Sequence, residues 1–282
     1  MDKTGKLSAA DGKNMTEAEF LAAYKAKDYP RPSVTVDLVI CTVVDTDLKV
    51  LLIKRDGHPF RGQPALPGGF VDVGEADQHD QGEDLYTAAF RELGEETGLD
   101  QDVMRRHHVH LEQLYTFGCA YRDPRTRVIG VAYLALVPPD LVPLVVAGDD
   151  AAEAGFKSLA TEVRPADLAF DHARILAVAL ERLRGKIDYS PIAFGLVPAT
   201  FTTSELREVY EAVKGAHYDA ANFRRRFKRM LEDGILEVAP GKRSSGDKGG
   251  RPAKVYRFTQ HRDPNPNARP WPEMPLERRH RS

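Results

Sequence analysis

The sequence predicts a two-domain α/β protein, with a larger α/β domain followed by a small, basic α+β domain. Three observations predict it. First, two apolar, β-branched runs over residues 34–44 and 48–54, joined by Asp45-Thr46-Asp47, read as a buried hairpin. Second, the glycine pair Gly68-Gly69 leads through a polar stretch into a short charged helix that ends at Gly98. Third, residues 201–262 hold fourteen Lys/Arg and eight Asp/Glu, about +6, while the remainder holds 26 and 34, or −8, summing to the chain's −2. That asymmetry points to an anionic partner for the C-terminal part, and nucleic acid is the usual one.

Composition sets the outer bounds. A length of 282 residues suits about two domains, and 42% hydrophobic with 29% charged residues is ordinary for a chain with water-facing surfaces. No apolar run reaches the roughly 18–20 residues of a membrane helix, and the N-terminus carries no apolar signal core. The two cysteines, Cys41 and Cys119, lie in apolar strand-like runs and are expected to be buried, reduced thiols, which suits a cytoplasmic protein.

Residues 1–29 read as an extension with one short helix. Residues 1–15 are polar, Thr16-Glu17-Ala18-Glu19 has a capping-box pattern, and Phe20, Leu21 and Tyr24 recur at helical spacing before Pro30-Arg31-Pro32 stops the helix. After the hairpin, residues 55–67 form a loop. The next helix is expected from residue 82 or 83 to 97. On it Glu92, Glu95 and Glu96 fall within an arc of roughly 100°. Three carboxylates on one face repel unless a cation sits among them, and magnesium or manganese suits such oxygen donors. Gly68 and Gly69 permit a tight turn and close backbone approach to a ligand. Residues 100–110 are polar. Their His107, His108 and His110 read as surface residues, since no matching Cys/His set follows.

Residues 111–118 and 128–138 read as further strands. The turn between them is rich in arginine, and Arg122, Arg125 and Arg127 are either solvated punctuation or a clamp for a diphosphate. Residues 147–156 form an acidic loop before a strand. Asp149, Asp150 or Glu153 can orient an attacking water there, with an exposed turn as the plain alternative. Residues 171–186 form an amphipathic helix that closes a first domain of residues 30–188.

The second domain spans residues 189–258. Thr202-Thr203-Ser204-Glu205 caps a helix to about Lys214, and Asp219 caps another to about Glu232, with Phe223, Phe227, Met230 and Leu231 on one face. Residues 235–238 and 253–258 form two short strands around a basic loop. Helix, turn, basic helix and basic hairpin make a winged helix-turn-helix. Residues 220–225, with Asn222, Arg224 and Arg225, would lie near base edges. Arg226, Lys228 and Arg229, with Lys242, Arg243, Lys248 and Arg251 of the wing, would hold phosphates of double-stranded DNA. Residues 259–282 are Pro-rich and polar and read as a disordered tail.

The segment GGFVDVGEADQHDQGEDLYTAAFRELGEETGL resembles the Nudix box, G-x5-E-x7-R-E-U-x-E-E-x-G-U with U aliphatic. Gly69 and Glu75 match its opening, and Arg91, Glu92, Leu93, Glu95, Glu96, Gly98 and Leu99 match its close. Fifteen residues separate Glu75 from Arg91 where the box has seven. Glu83 also has the right spacing to Arg91, so two registers fit the first glutamate. A Nudix box ahead of a winged helix is similar to the Nudix-related transcriptional regulators, the NrtR family. PRPSVTVDLVI, LKVLLIKR, ALPGGFV, LEQLYTFG, RDPRTRVIGVAYLALVP, LAFDHARILAVALERL and YSPIAFGLVPATFTTSELREVYEAV carry the likeness over residues 30–258. The resemblance implies a Nudix α/β/α sandwich followed by a winged helix, and a homodimer on a palindromic operator. It further implies ADP-ribose or a related nucleotide diphosphate as effector, and control of NAD-metabolism genes. It implies Glu92, Glu95 and Glu96 as ligands to Mg2+ (or Mn2+), with Glu95, Glu96 and Glu153 catalytic if hydrolysis is retained, and Arg91 paired structurally with Glu75 or Glu83. Two other readings remain open: a magnesium-dependent ADP-ribose pyrophosphatase whose small domain serves assembly, and a sugar-responsive regulator of the same architecture.

Overall fold

The computed structural model describes residues 15–25, 29–75, 81–99, 101–107, 109–145, 154–243 and 252–259. A short helix, α1 (Glu17–Ala23), is closed by the Thr16–Glu19 capping box. The first domain is a mixed sheet of β1 (Ser33–Val44), β2 (Asp47–Lys54), β3 (Pro64–Ala65), β4 (Gly68–Phe70), β5 (His110–Phe117), β6 (Val128–Leu136) and β7 (Ala154–Ser158). Its central order is β3-β2-β1-β6-β5, with β4 on β1 and β7 on β2. β1 is parallel to β6 and antiparallel to β2 and β4.

The alternation of β1 decides the layering, because successive side chains of a strand point to opposite faces. Val36, Leu38 and Ile40 pack with Ala88, Ala89 and Leu93 of α2 (Leu85–Thr97). Val39, Cys41 and Val43 pack on the other face with Ile175, Leu176, Ala179 and Leu183 of α4 (His172–Lys186). The result is the expected α/β/α sandwich. A short helix, α3 (Gln101–Arg106), occupies a stretch read only as polar, and buries Met104 against the α2 side.

The second domain holds α5 (Thr203–Lys214), α6 (Ala220–Glu232) and a hairpin of β8 (Leu236–Arg243) and β9 (Ala253–Phe258). Thr202 and Glu205 form the predicted capping box, and the Asp219 side chain accepts from the Asn222 N–H at 2.8 Å. β8 runs five residues beyond the predicted end, past an irregularity between Val238 and Lys242. The two domains share one core. Phe201, Leu206, Val209, Tyr210, Val213, Phe223 and Phe227 join the same apolar cluster as α4, through Ile192, Ala193 and Leu196 of a 3-10 segment.

Candidate ligand site and nucleic-acid interface

The box loop answers the question of register. Glu83 grips Arg91 with both carboxylate oxygens, at 2.6 Å from Nη2 and 3.1 Å from Nε. Glu83 also accepts from the Asp72 N–H, while its own N–H donates to the Asp72 carbonyl, each at 3.0 Å. Asp72 and Glu83 are therefore joined in both directions, which sets Glu83 beside Arg91 at the spacing the box requires. Glu75 sits on an exposed turn. The bond to Arg91 holds Glu83 below the ordinary carboxylate range.

Arg91 is also the cation among the carboxylates. Its Nη1 donates to Glu92 at 2.8 Å and Glu95 at 2.9 Å, and its Nη2 donates to the Phe70 carbonyl at 3.3 Å. Glu92 is buried, and burial raises its carboxyl above the usual range despite Arg91. Gly69 leaves room for it: a Cβ there would stand 2.2 Å from Glu92 Oε1 and displace the carboxylate. Gly68 has φ 146°, and a Cβ there would meet the Val36 carbonyl at 2.1 Å. Glu96 is half-buried on the same helical turn.

β4 connects this turn to the arginine-rich loop, because Arg125 lies 5.6 Å over the Phe70 ring. The three predicted clamp arginines separate there. Arg122 is sequestered at 5% side-chain exposure, 2.8 Å from Asp171 and 2.9 Å from Asp37. Arg125 forms a two-pronged pair with Asp123, and Arg127 is exposed. Phe60, Cys119, Tyr121, Arg122, Pro124, Phe170, Asp171 and Arg174 line a cleft of about 370 Å³. Cys119 is thus exposed rather than buried, since it lies just past the end of β5. Phe60 and Phe170 meet edge to face at 4.7 Å, and Arg55 lies 4.8 Å over Phe170. Arg55, Phe60, Phe170 and Arg174 carried no local sequence signal. The fold brings the loop after β2, which carries Arg55 and Phe60, against Phe170 and the first turn of α4, which carries Arg174.

Beneath the cleft, Asp37, Arg122, Asp171 and His172 form a buried polar cluster. The Leu66 N–H donates to His172 Nδ1 at 2.9 Å, which fixes the ring's acceptor nitrogen. Burial, aided by the Arg122 charge, pushes His172 down to about 4; burial pushes Asp37 up to about 6 against the pull of Arg122. A second cluster joins β5 to α4: Glu112 takes Lys186 at 2.5 Å, with Arg182 at 3.5 Å and His110 Nε2 at 3.3 Å. His110 was expected at the surface. It is buried because it begins β5 with its ring turned inward.

In the second domain, α6 buries Phe223 and Phe227 and exposes Asn222, Arg224, Arg225, Lys228 and Arg229. Arg225 donates to Asn222, and Lys228 pairs with Glu232 at 3.3 Å. Two predicted phosphate contacts are engaged elsewhere. Arg226 folds back onto Asp188 and Tyr210, and Arg243 bonds Glu205 and the Thr200 carbonyl. The wing adds an unpredicted cation, Lys254, directly across the strands from Lys242. Like charges so placed repel, and an anion between them would relieve this.

Residues 34–179 match the NUDIX domain family, and residues 193–258 match the NrtR DNA-binding winged helix domain. The chain is 36% identical over 243 residues to the ADPR responsive transcriptional repressor NtrR of Acinetobacter baylyi, covering 86% of this chain and 88% of that one. The chain belongs to the NrtR family of Nudix-related regulators. Its fold is similar to that of Shewanella oneidensis NrtR crystallised with a 27mer DNA, with TM-score 0.64, 32% identity, and 80% and 93% of the two chains covered. Over 153 residues it is also 38% identical to an ADP-ribose pyrophosphatase of Methanocaldococcus jannaschii, which spans 54% of this chain and 75% of that one.

Nudix domains in general use divalent metals. In this NrtR-family chain, no three His, Cys, Asp or Glu side chains among the described residues stand together as a ready metal cage. The donors still suit a hard cation: carboxylate oxygens of Glu92, Glu95 and Glu96 on one helical turn, against a Gly69 backbone without a Cβ. Such an ion would compete with Arg91 for Glu92 and Glu95. Asp149, Asp150, Glu153, His108, Lys248 and Arg251 lie outside the described residues. No helix among the described residues is long and apolar enough to cross a membrane.

Proposed function

We propose that this protein is a cytoplasmic, nucleotide-gated transcriptional repressor. It binds ADP-ribose or a related nucleotide diphosphate in the Nudix domain and a palindromic operator through the winged helices of a homodimer. The observation that carries the reading is the face of α6. It buries two phenylalanines and turns Arg224, Arg225, Lys228 and Arg229 to solvent beside the Lys242–Lys254 pair of the wing. That is a phosphate-binding surface around a helix of a size for the major groove. A dimer would present two such helices to two half-sites.

The ligand reading rests on the cleft. Phe60, Phe170 and Tyr121 offer flat aromatic faces to a base, and Arg122 and Arg174 offer positive charge to a diphosphate. Arg122 is the weaker candidate, since Asp37 and Asp171 already neutralise it, and Arg174 is the stronger. Magnesium or manganese, held by Glu92, Glu95 and Glu96, would neutralise the diphosphate when bound. The Acinetobacter relative is named for its response to ADPR, and the Shewanella relative was crystallised on DNA. Control of NAD-metabolism genes is part of the same proposal.

The complete carboxylate set of the box favours a second reading, an ADP-ribose pyrophosphatase. One pair of variants separates the two. With Arg224→Ala/Arg225→Ala, duplex binding is expected to fall by at least about 100-fold while calorimetric ADP-ribose affinity is kept. AMP release with magnesium that is rapid in the parent and lost in Glu95→Gln/Glu96→Gln, with duplex binding indifferent to the arginines, would instead establish the enzyme.

A further inference from the structure

One arginine of α6, Arg226, turns back onto the protein. Arg226 Nη1 lies 3.1 Å from Asp188 Oδ1, and its Nη2 donates to the Asp188 carbonyl at 2.7 Å and to the Tyr210 hydroxyl at 3.2 Å. Its guanidinium stands 4.6 Å over the Tyr210 ring. Asp188 follows the last turn of α4, where the helix's negative end favours a cation. Lys214, the last residue of α5, takes the other Asp188 oxygen at 2.5 Å, and Arg184 of α4 donates to the Val213 carbonyl at 3.1 Å. Both helices of the helix-turn-helix are thus fastened to one aspartate beyond α4.

The opposite end of α4 forms a wall of the ligand cleft. Asp171, its N-cap residue, holds Arg122, and Arg174 lies one turn in. Fifteen helical residues span about 22 Å, so one rigid element reaches from cleft to recognition helix. Close to its C-terminal end, Arg182 donates to the Leu114 carbonyl and Lys186 pairs with Glu112, so α4 is seated on the sheet at several points. The shared apolar core runs along the same path, through fully buried Ile187 to Val209, Tyr210 and Val213.

We propose that Asp188, Lys214 and Arg226 are positioning residues that fix the recognition helix to α4, and that ligand control of DNA binding passes through this latch. The proposal rests on the nucleotide-gated reading above. A ligand that favours one placement of α4 in the cleft then favours one placement of α6, which is the differential interaction any coupling between two sites requires. The bonds of Arg226 also mean that it adds nothing to the phosphate contacts.

The test uses the full chain and a duplex carrying its operator. The duplex Kd is measured with and without saturating ADP-ribose, and ADP-ribose affinity is measured by calorimetry without DNA. Asp188→Asn, and separately Lys214→Met, are expected to shrink the ratio of the two duplex Kd values by about tenfold while ADP-ribose affinity stays within about twofold. Lys214→Met leaves α6 itself untouched, so agreement of the two variants excludes a local fault in that helix. In a second arm, Arg226→Gln is expected to leave the slope of log K against log salt at the parental value. A slope reduced by about 1.8, one phosphate contact from each protomer of the dimer, overturns the latch assignment. A parental ratio far from one that both variants keep overturns the latch alone. A parental ratio of one overturns the latch and the nucleotide-gated reading together.

Discussion

At the residue scale, Arg91 governs the box. One guanidinium satisfies Glu83, Glu92, Glu95 and the Phe70 carbonyl at once, which offsets the repulsion among the three carboxylates. Bonds to a charged group are worth about 1.5–3 kcal/mol each, and the Glu83 side chain is only 12% exposed. Glu83→Gln is therefore expected to lower unfolding stability by about 2 kcal/mol in a denaturant titration. Glu75→Gln, on an exposed turn, is expected to cost under about 0.5 kcal/mol. The reverse order would mean that Glu75 takes the box role in solution. The sequence left both registers open because spacing to Arg91 favours Glu83 and spacing from Gly69 favours Glu75. The choice rests on the Asp72–Glu83 pinch, a contact across eleven positions that no local pattern encodes. Arg226 and Arg243 teach the same lesson. Composition marks them as basic, and only the fold gives them carboxylate partners on other elements.

At the element scale, the longer strands and helices were legible because each carries its own composition and its own stops, whereas the short β3 and β4 fall where a loop and a glycine turn were expected. β1 is an apolar run buried on both faces, α5 announces itself by a capping box, and α2 ends at Gly98 in the left-handed region with φ 65°. α2 begins at Leu85, after its Asp84 cap, slightly later than expected. The short α3 and the 3-10 segment Pro191–Leu196 were not read, since they are held by burial of Met104, Ile192 and Leu196 rather than by periodicity. The junction of β5 and α4 rests on Glu112. Burial would raise its carboxyl, but His110 and Lys186 outweigh burial and hold it at about 2. An acid held below its unfolded value stabilises the protein above that unfolded value, near 4.3, and the contribution fades as pH falls toward 2. Removing one member of a buried pair costs about 3 kcal/mol at neutral pH. Glu112→Gln is thus expected to be less stable than the parent by about that much at pH 7, with the gap closing below pH of about 4 in urea titrations. A gap that stays constant to low pH would show that Glu112 acts through packing and not charge.

At the scale of the whole molecule, one apolar core joins the Nudix sandwich to the winged helix, and α4 belongs to both. The proposed ligand cleft at one end of α4 and the proposed DNA-binding face of the second domain would then be joined through a single body. The family and the two-domain plan were readable from the box and from the charge asymmetry. The cleft was not, because the loop of Phe60, the turn of Cys119 to Pro124 and the start of α4 with Phe170 and Arg174 are far apart in sequence and converge only in the fold. The central claim is that a nucleotide diphosphate in that cleft governs the grip on DNA. The most direct measurement is a gel shift at fixed salt, on duplexes drawn from upstream of the protein's own gene and its neighbours, with and without ADP-ribose. The account predicts a sequence-dependent shift that ADP-ribose weakens by about tenfold or more. A specific shift that ADP-ribose leaves unchanged, or no specific shift on any of these duplexes, would contradict it.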